Sequence, residues 1–314
     1  MAFTPPQETF AGSVYSVTLG TGDKAATFGG ENTLPFHGFE GKTPNKPLVA
    51  MEIMDIAPAD WPEMVRKPFE GVGDDTVKWA RHCQDELGAK AIALRLAGTH
   101  PDNGNRSAAD AVATVKAVLG AITVPLIIMG SNHVEKDAEV LVKVAEAASG
   151  RNCLIGKAQE ANYKTVAAAA MANGHKLIAM SELDINLSKQ LNILITQMGF
   201  SNDLIVTDPM SSALGYGLEY TYSVMERIRL AALTQNDATM QPPMMGDVGF
   251  YVWKIKEVQA PESDLPEWGT LEERAIAWEA TSATALLLAG AELLIMRHPG
   301  AAAAVNKFIA EMEG

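Results

Sequence analysis

The chain has 314 residues, 47% of them apolar and only 6% aromatic, with a formal net charge of −13. Such an acidic surface repels phosphate backbones and anionic headgroups, which argues against nucleic acid or a membrane surface as a partner. No apolar run reaches the roughly 18 residues that span a bilayer, and MAFTPPQETF lacks the basic start and apolar stretch of a signal peptide, so a cytoplasmic location is expected.

Residues 1–45 read as an extension. VYSVTLG and KAATFGG flank Gly20-Thr21-Gly22-Asp23, and the alternation at Tyr15, Val17 and Leu19 predicts a β-hairpin capping one end of a larger body. PFHGFEGKTPNKP then predicts an extended connection. Residues 46–314 carry a rhythm of apolar runs and amphipathic stretches. LVAMEIMDI (48–56) predicts a strand and DDTVKWARHCQDELG (74–88) a helix. AIALRLAG (91–98) is followed by a helix that starts at a Ser107 N-cap. VPLIIMG (124–130), NCLIGKA (152–158), HKLIAMS (175–181) and DLIVTDP (203–209) each precede a helical pattern. MQPPMMGDVG (240–249) is a weaker, Pro-interrupted strand, separated by a long segment from the helix over 272–290. ELLIMRHPG (292–300) leads into the last helix.

These make eight strand–helix units. Continuously apolar strands such as LIIMG are buried on both faces, as in a parallel sheet wrapped by helices. Gly88, Gly150, Gly174, Gly199 and Gly290 stand where helices end. The expected fold is α/β, a TIM (β/α)8 barrel with an N-terminal β-hairpin extension. A doubly wound open sheet is the alternative, but the first strand lacks the GxGxxG turn it often carries.

A barrel of this kind places its chemistry where the strands end. Glu52, Asp55, Arg95, Ser131, Asn132, Lys157, Ser181, Glu182, Asp208, Asp247, Arg297 and His298 fall there, a polar mouth with both signs of charge. Gly215 and Gly217, in the stretch LIVTDPMSSALGYGLEY, read as a tight turn into a helix and not a phosphate cradle, since no Lys-Ser/Thr follows. Asp208 either caps its loop or projects into the site. Lys157 is placed for Schiff-base chemistry or for an ordinary salt bridge. Arg297 is placed to meet an anion, or to pair with a carboxylate such as Asp208 or Glu52. The six histidines make no HxH or HExxH pair, so a protein-ligated metal is not expected, nor is a hydrolase triad. Two cysteines, Cys83 and Cys153, fall short of the roughly four that hold a four-iron cluster and read as buried free thiols. The segment FYVWKIKEVQAPESDLPEWGTLEER reads as a lid or a partner-docking surface over the mouth.

DINLSKQLNILI (184–195), LGYGLEYTYSVMERIRLAAL (214–233), GDVGFYVWKIKE (246–257) and LLIMRHP (293–299) closely resemble the small subunit of the corrinoid iron–sulfur protein. LPFHGFEG (34–41) and VEKDAEVL (134–141) resemble the same family. The resemblance implies a TIM barrel related in fold to methyltetrahydrofolate:corrinoid methyltransferases. It implies a heterodimer with a large subunit that carries the four-iron cluster and most corrinoid contacts, the corrinoid lying against the mouth of this barrel. It further implies a methyl carrier between the methyltransferase and acetyl-CoA synthase/CO dehydrogenase in the reductive acetyl-CoA pathway, with no catalytic set of its own. From topology, Asn132, Lys157, Asp208, Asp247 and Arg297 are the expected corrinoid-contacting residues. The competing expectation is a stand-alone pterin-dependent methyltransferase.

Overall fold

The computed structural model describes residues 6–212 and 214–312. Strands β1 (Ser16–Leu19) and β2 (Ala26–Gly29) form the antiparallel hairpin. Eight strands then close a parallel barrel: β3 (Leu48–Met54), β4 (Ile92–Arg95), β5 (Leu126–Met129), β6 (Leu154–Ala158), β7 (Lys176–Met180), β8 (Ile205–Asp208), β9 (Met244–Gly246) and β10 (Ala291–Met296). Neighbours in sequence are neighbours in the sheet, and β10 pairs back onto β3. All eight coincide with the strands read from the sequence.

Helices α1 (Glu63–Arg66) and α2 (Thr76–Asp85) follow β3. Then α3 (Ala108–Ala121), α4 (Val134–Ala147), α5 (Tyr163–Ala172), α6 (Ile185–Gln197) and α7 (Leu218–Thr234) follow β4 to β8 in turn. Three helices, α8 (Val248–Val252), α9 (Lys256–Gln259) and α10 (Leu271–Ala289), separate β9 from β10, and α11 (Pro299–Met312) comes last. Local chemistry sets their starts. Ser107 and Asp110 form a capping box on α3, Thr270 and Glu273 another on α10, and the carboxylates of Asp75 and Asp184 cap α2 and α6. The five glycines expected at helix ends all take positive φ, between 68° and 112°.

Inside the barrel, side chains two apart along each strand face the axis. Leu48 and Ala50, Ala91 and Ala93, Ile127 and Met129, Leu154, Ile178, Val206, Met245, Leu293 and Ile295 make one buried cluster. Val17, Leu19 and Phe28 of the hairpin belong to that same cluster, so the extension plugs the N-terminal end of the barrel. A buried ion cluster seals the joint. Arg229 of α7 meets Glu31 at 2.8 Å, donates to the Gly290 carbonyl at 2.7 Å, and pairs with Glu292 of β10. The outward face of the strands, with Val49, Met51 and Ile53 among it, packs under the helices in a second cluster.

Candidate functional site

Continuing the same alternation toward the C-terminal ends of the strands replaces apolar residues with charges. Leu48 and Ala50 lead to Glu52, Ala91 and Ala93 to Arg95, Val206 to Asp208, Met245 to Asp247, and Leu293 and Ile295 to Arg297. Lys157 enters this layer from β6, where the pairing with β7 shifts register between Ile155 and Ala158. Gly156 has no room for a side chain there: a Cβ would lie 2.5 Å from the Ile178 Cβ.

The six charges close on one another. Asp247 takes both oxygens onto Arg95 Nη2, at 2.8 and 2.9 Å, and accepts from Lys157 Nζ at 2.7 Å. Lys157 also meets Asp208 at 2.8 Å. Arg95 Nε donates to Glu52 Oε1 at 2.7 Å, and Arg297 Nε donates to Glu52 Oε2 at 3.0 Å. Three carboxylates and three cations leave no net charge, and none of the six is more than 4% exposed.

Burial alone would oppose ionisation throughout this layer; the partners outweigh it. Burial raises the Asp247 carboxyl, but Arg95 and Lys157 hold it well below the usual carboxylate range. Glu52 is lowered in the same way, burial being overcome by Arg297 and Arg95. Lys157 is pushed above the ordinary ammonium range, because Asp208 and Asp247 together outweigh its desolvation. Burial pushes the Tyr251 hydroxyl, beside this layer, up to about 12.

An aromatic roof covers the cations. The Phe250 ring, on α8, lies 4.4 Å from the Arg95 guanidinium and 3.4 Å from Lys254 Nζ, and Trp61 lies 4.4 Å from the Arg297 guanidinium. Glu279 of α10 braces the layer from behind. Its oxygens accept the backbone N–H groups of Arg297 at 2.7 Å and of His298 at 3.0 Å. Burial pushes the Glu279 carboxyl up to about 7 despite those two donors.

Of the five residues nominated from topology, Lys157, Asp208, Asp247 and Arg297 come together. Asn132 stands apart on the rim after β5, at a φ of 69°. Its N–H and that of Ser131 donate to the Asp137 carboxylate at 2.9 and 2.7 Å, and Gly130 sits so close that a Cβ would lie 2.3 Å from Asp137 Cγ. Asp208 does both things open to it: Oδ1 accepts the Met210 N–H at 2.9 Å, and Oδ2 faces Lys157. Lys157 is the salt-bridged lysine; an amine held between two carboxylates is a poor nucleophile. Arg297 pairs with Glu52, not with Asp208. Glu52 and Arg95, which the nominations left out, are the layer's other two members. The segment after β9 supplies the roof through Phe250, and farther on leaves Trp268 exposed, 5.7 Å from Trp278.

Residues 16–302 match the family described as CO dehydrogenase/acetyl-CoA synthase delta subunit. The chain belongs to this family. The acetyl-CoA decarbonylase/synthase complex subunit delta of Archaeoglobus fulgidus is 34% identical over 324 residues, covering 99% of this chain and 71% of that protein. The same subunit of Methanothermobacter thermautotrophicus is 36% identical over 299 residues, covering 95% of this chain and 75% of its own length. The delta-subunit family is the one to which the sequence resemblance pointed. Among solved structures, dihydropteroate synthase from Xanthomonas albilineans superposes with a TM-score of 0.58 at 13% identity, covering 95% of this chain and 97% of that one. The Thermus thermophilus enzyme gives 0.55 at 14% identity, over 95% and 99%. These two establish that the delta-subunit barrel shares their fold.

Proposed function

We propose that this chain is the small subunit of a heterodimeric corrinoid iron–sulfur methyl carrier, and that its barrel mouth caps a corrinoid held mainly by the large subunit. The observation that carries this reading is the closed, neutral, buried layer under Phe250. A layer whose three acids and three bases are spent on one another offers none of the six for proton transfer, but it makes a rigid, dry wall. The alternative of a stand-alone pterin methyltransferase needs acids or bases free to meet a substrate, and here the six charges of the layer are buried and paired with one another.

The rim fits a large, flat, uncharged macrocycle with amide arms. Phe250 lies over a layer with no net charge, with Lys254 Nζ 3.4 Å from its ring, and Asn132 is a half-buried carboxamide on the rim after β5. When bound, the corrinoid supplies the cobalt centre that accepts and gives up the methyl group. The residues of this chain position its face and exclude water. Phe250 and Trp61 shield the cations, Glu279 fixes the Arg297-His298 turn, and Asp137 fixes the loop that presents Asn132.

The same reading puts the four-iron cluster on the large subunit. Cys83 and Cys153 are both buried, and burial pushes each thiol up to about 12, unlike a cluster ligand. Methyltetrahydrofolate:corrinoid methyltransferase and acetyl-CoA synthase/CO dehydrogenase are the partners that give and receive the methyl group. The test is an anaerobic absorbance spectrum of the chain alone and co-expressed with the large subunit, with corrinoid supplied. Colour and retained corrinoid in the pair, without folate binding by the single chain, are expected. Folate binding and methyl transfer by the lone chain would overturn the capping role.

A further inference from the structure

The segment PESDLPEWGTLEER (261–274), between α9 and α10, holds a tryptophan out toward solvent on a turn built for it. Trp268 is 47% exposed. Pro266–Trp268 make one 3-10 turn, Gly269 follows at a φ of 76°, and the Thr270–Glu273 capping box ties the turn to α10. The Leu271 N–H donates to Glu262 Oε1 at 2.8 Å and closes the loop. The Trp268 ring leans on Trp278 of α10, with centroids 5.7 Å and planes 36° apart.

Across from it stands the turn into α7, where Tyr216 is 83% exposed. Tyr216, Trp268 and Trp278, with Leu214 and Leu218, line a cavity of about 650 Å³. Gly215 lies against Ile255, where a Cβ would come 2.6 Å from Ile255 Cδ1. Ile255 directly follows Lys254, which covers the Phe250 ring, so one lip of the groove is packed on the segment that roofs the mouth.

The surroundings are acidic. Glu262, Asp264, Glu267, Glu272 and Glu273 are exposed on the Trp268 side, and Glu219 follows Leu218 on the other. Among the described residues only Glu272 meets a cation, Lys67 at 3.9 Å. Arg274 also borders the cavity, but it is buried, with Nη2 on the Ala260 carbonyl and Nε and Nη1 closed to solvent.

These charges choose the occupant. Phosphates and acidic peptides are repelled. A second copy of this chain, meeting its twin across a two-fold axis, would set these acids against themselves. A lysine or arginine gains twice, from the indole face and from the carboxylates beside it. Aromatic-lined grooves also take extended proline-type segments, whose shape is already fixed before binding.

We infer that this groove docks an extended, proline-containing segment of a partner protein, flanked by lysine or arginine. The inference stands apart from the capping role. The full chain is titrated with dye-labelled peptides KPLPK and EPLPE, blocked at both ends, and followed by fluorescence anisotropy. KPLPK binds at least tenfold more tightly than EPLPE at low salt, and the difference shrinks as salt is raised. Trp268→Ala, altered only at an exposed ring, weakens KPLPK about tenfold. Glu267→Gln/Glu272→Gln keeps the aromatic walls and narrows the gap between the two peptides. Equal binding of both peptides, no binding of KPLPK, or a Trp268→Ala protein indistinguishable from the wild type overturns the docking site.

The assembled acetyl-CoA decarbonylase/synthase complex is then treated with a carbodiimide, which joins carboxylates to neighbouring lysines, and the products are mapped by mass spectrometry. Glu267 or Glu272 joined to a lysine of another subunit is expected. Crosslinks only to a second copy of this chain, or none from either residue, overturn the partner.

Discussion

Asp247→Asn is the sharpest perturbation of the charged layer. Asp247 is fully buried and, among the described residues, is the only carboxylate shared between Arg95 and Lys157. Asparagine keeps the shape but removes the charge, and it turns an NH2 group toward one of two cations that can only donate. The layer is left with three cations and two carboxylates in a site closed to water. Breaking one partner of a buried pair costs about 3–5 kcal/mol. For 314 residues the unfolding entropy is about 0.66 kcal/mol/K, so the midpoint falls by about 5–8 °C. Arg95→Met/Asp247→Asn is the decisive companion. It leaves two intact pairs, Lys157 with Asp208 and Arg297 with Glu52, and restores neutrality. The double variant is therefore less destabilised than the sum of the singles, with a coupling of about 1–3 kcal/mol. Urea unfolding followed by circular dichroism measures all four corners. A loss below about 1 kcal/mol for Asp247→Asn, the range of an exposed ion pair, or additivity within about 0.5 kcal/mol, would refute a dry, interlocked layer.

Glu279 titrates at about 7 when folded, against an ordinary 4.5, so the folded state holds the extra proton between those values. The stability it contributes is complete below pH 4.5 and is lost as the pH rises through 7, about 3 kcal/mol in all. Urea midpoints from pH 4 to 8 show this decline in the wild type relative to Glu279→Gln; parallel profiles would exclude it. Phe28→Ala removes a fully buried ring from the plug and costs about 3–5 kcal/mol, read from the same denaturation curves. Borohydride added with small aldehydes or ketones leaves Lys157 unmodified, as peptide mass mapping checks, because two carboxylates hold it as ammonium.

Most of the barrel is legible in the sequence because its strands are short, apolar and regularly separated. The charged layer is legible in part. In LVAMEIM, Leu48, Ala50 and Glu52 fall on one face, and the same step of two singles out Arg95, Asp208, Asp247 and Arg297. Applied strictly, that step nominates Glu52 and Arg95 from the sequence. It fails at Lys157, which reaches the layer through a register shift beside Gly156 that no local pattern announces. Which charge meets which is hidden as well, since Arg95 and Asp247 are 152 residues apart and only closure of the barrel brings them together. Glu279 is hidden for another reason. It lies in the middle of a long helix whose other charges are near its start, where a glutamate reads as solvent-facing. Asn132 is legible as a residue after a strand, but the turn built on Asp137, which keeps it on the rim and out of the charged layer, is not.

The plug and the charged layer also impose an order of events on synthesis. Arg297 meets Glu52 across 245 residues, and Arg229 meets Glu31 across 198. At about 5–20 residues per second, the ribosome takes roughly 12–50 s to deliver the partner that Glu52 requires. Throughout that interval Val17, Leu19 and Phe28 have no barrel to enter, because the floor they fill is not closed until β10 joins β3. The nascent chain therefore carries an unsealed apolar hairpin for most of its synthesis, and the last strand to emerge converts it from an aggregation hazard into a floor.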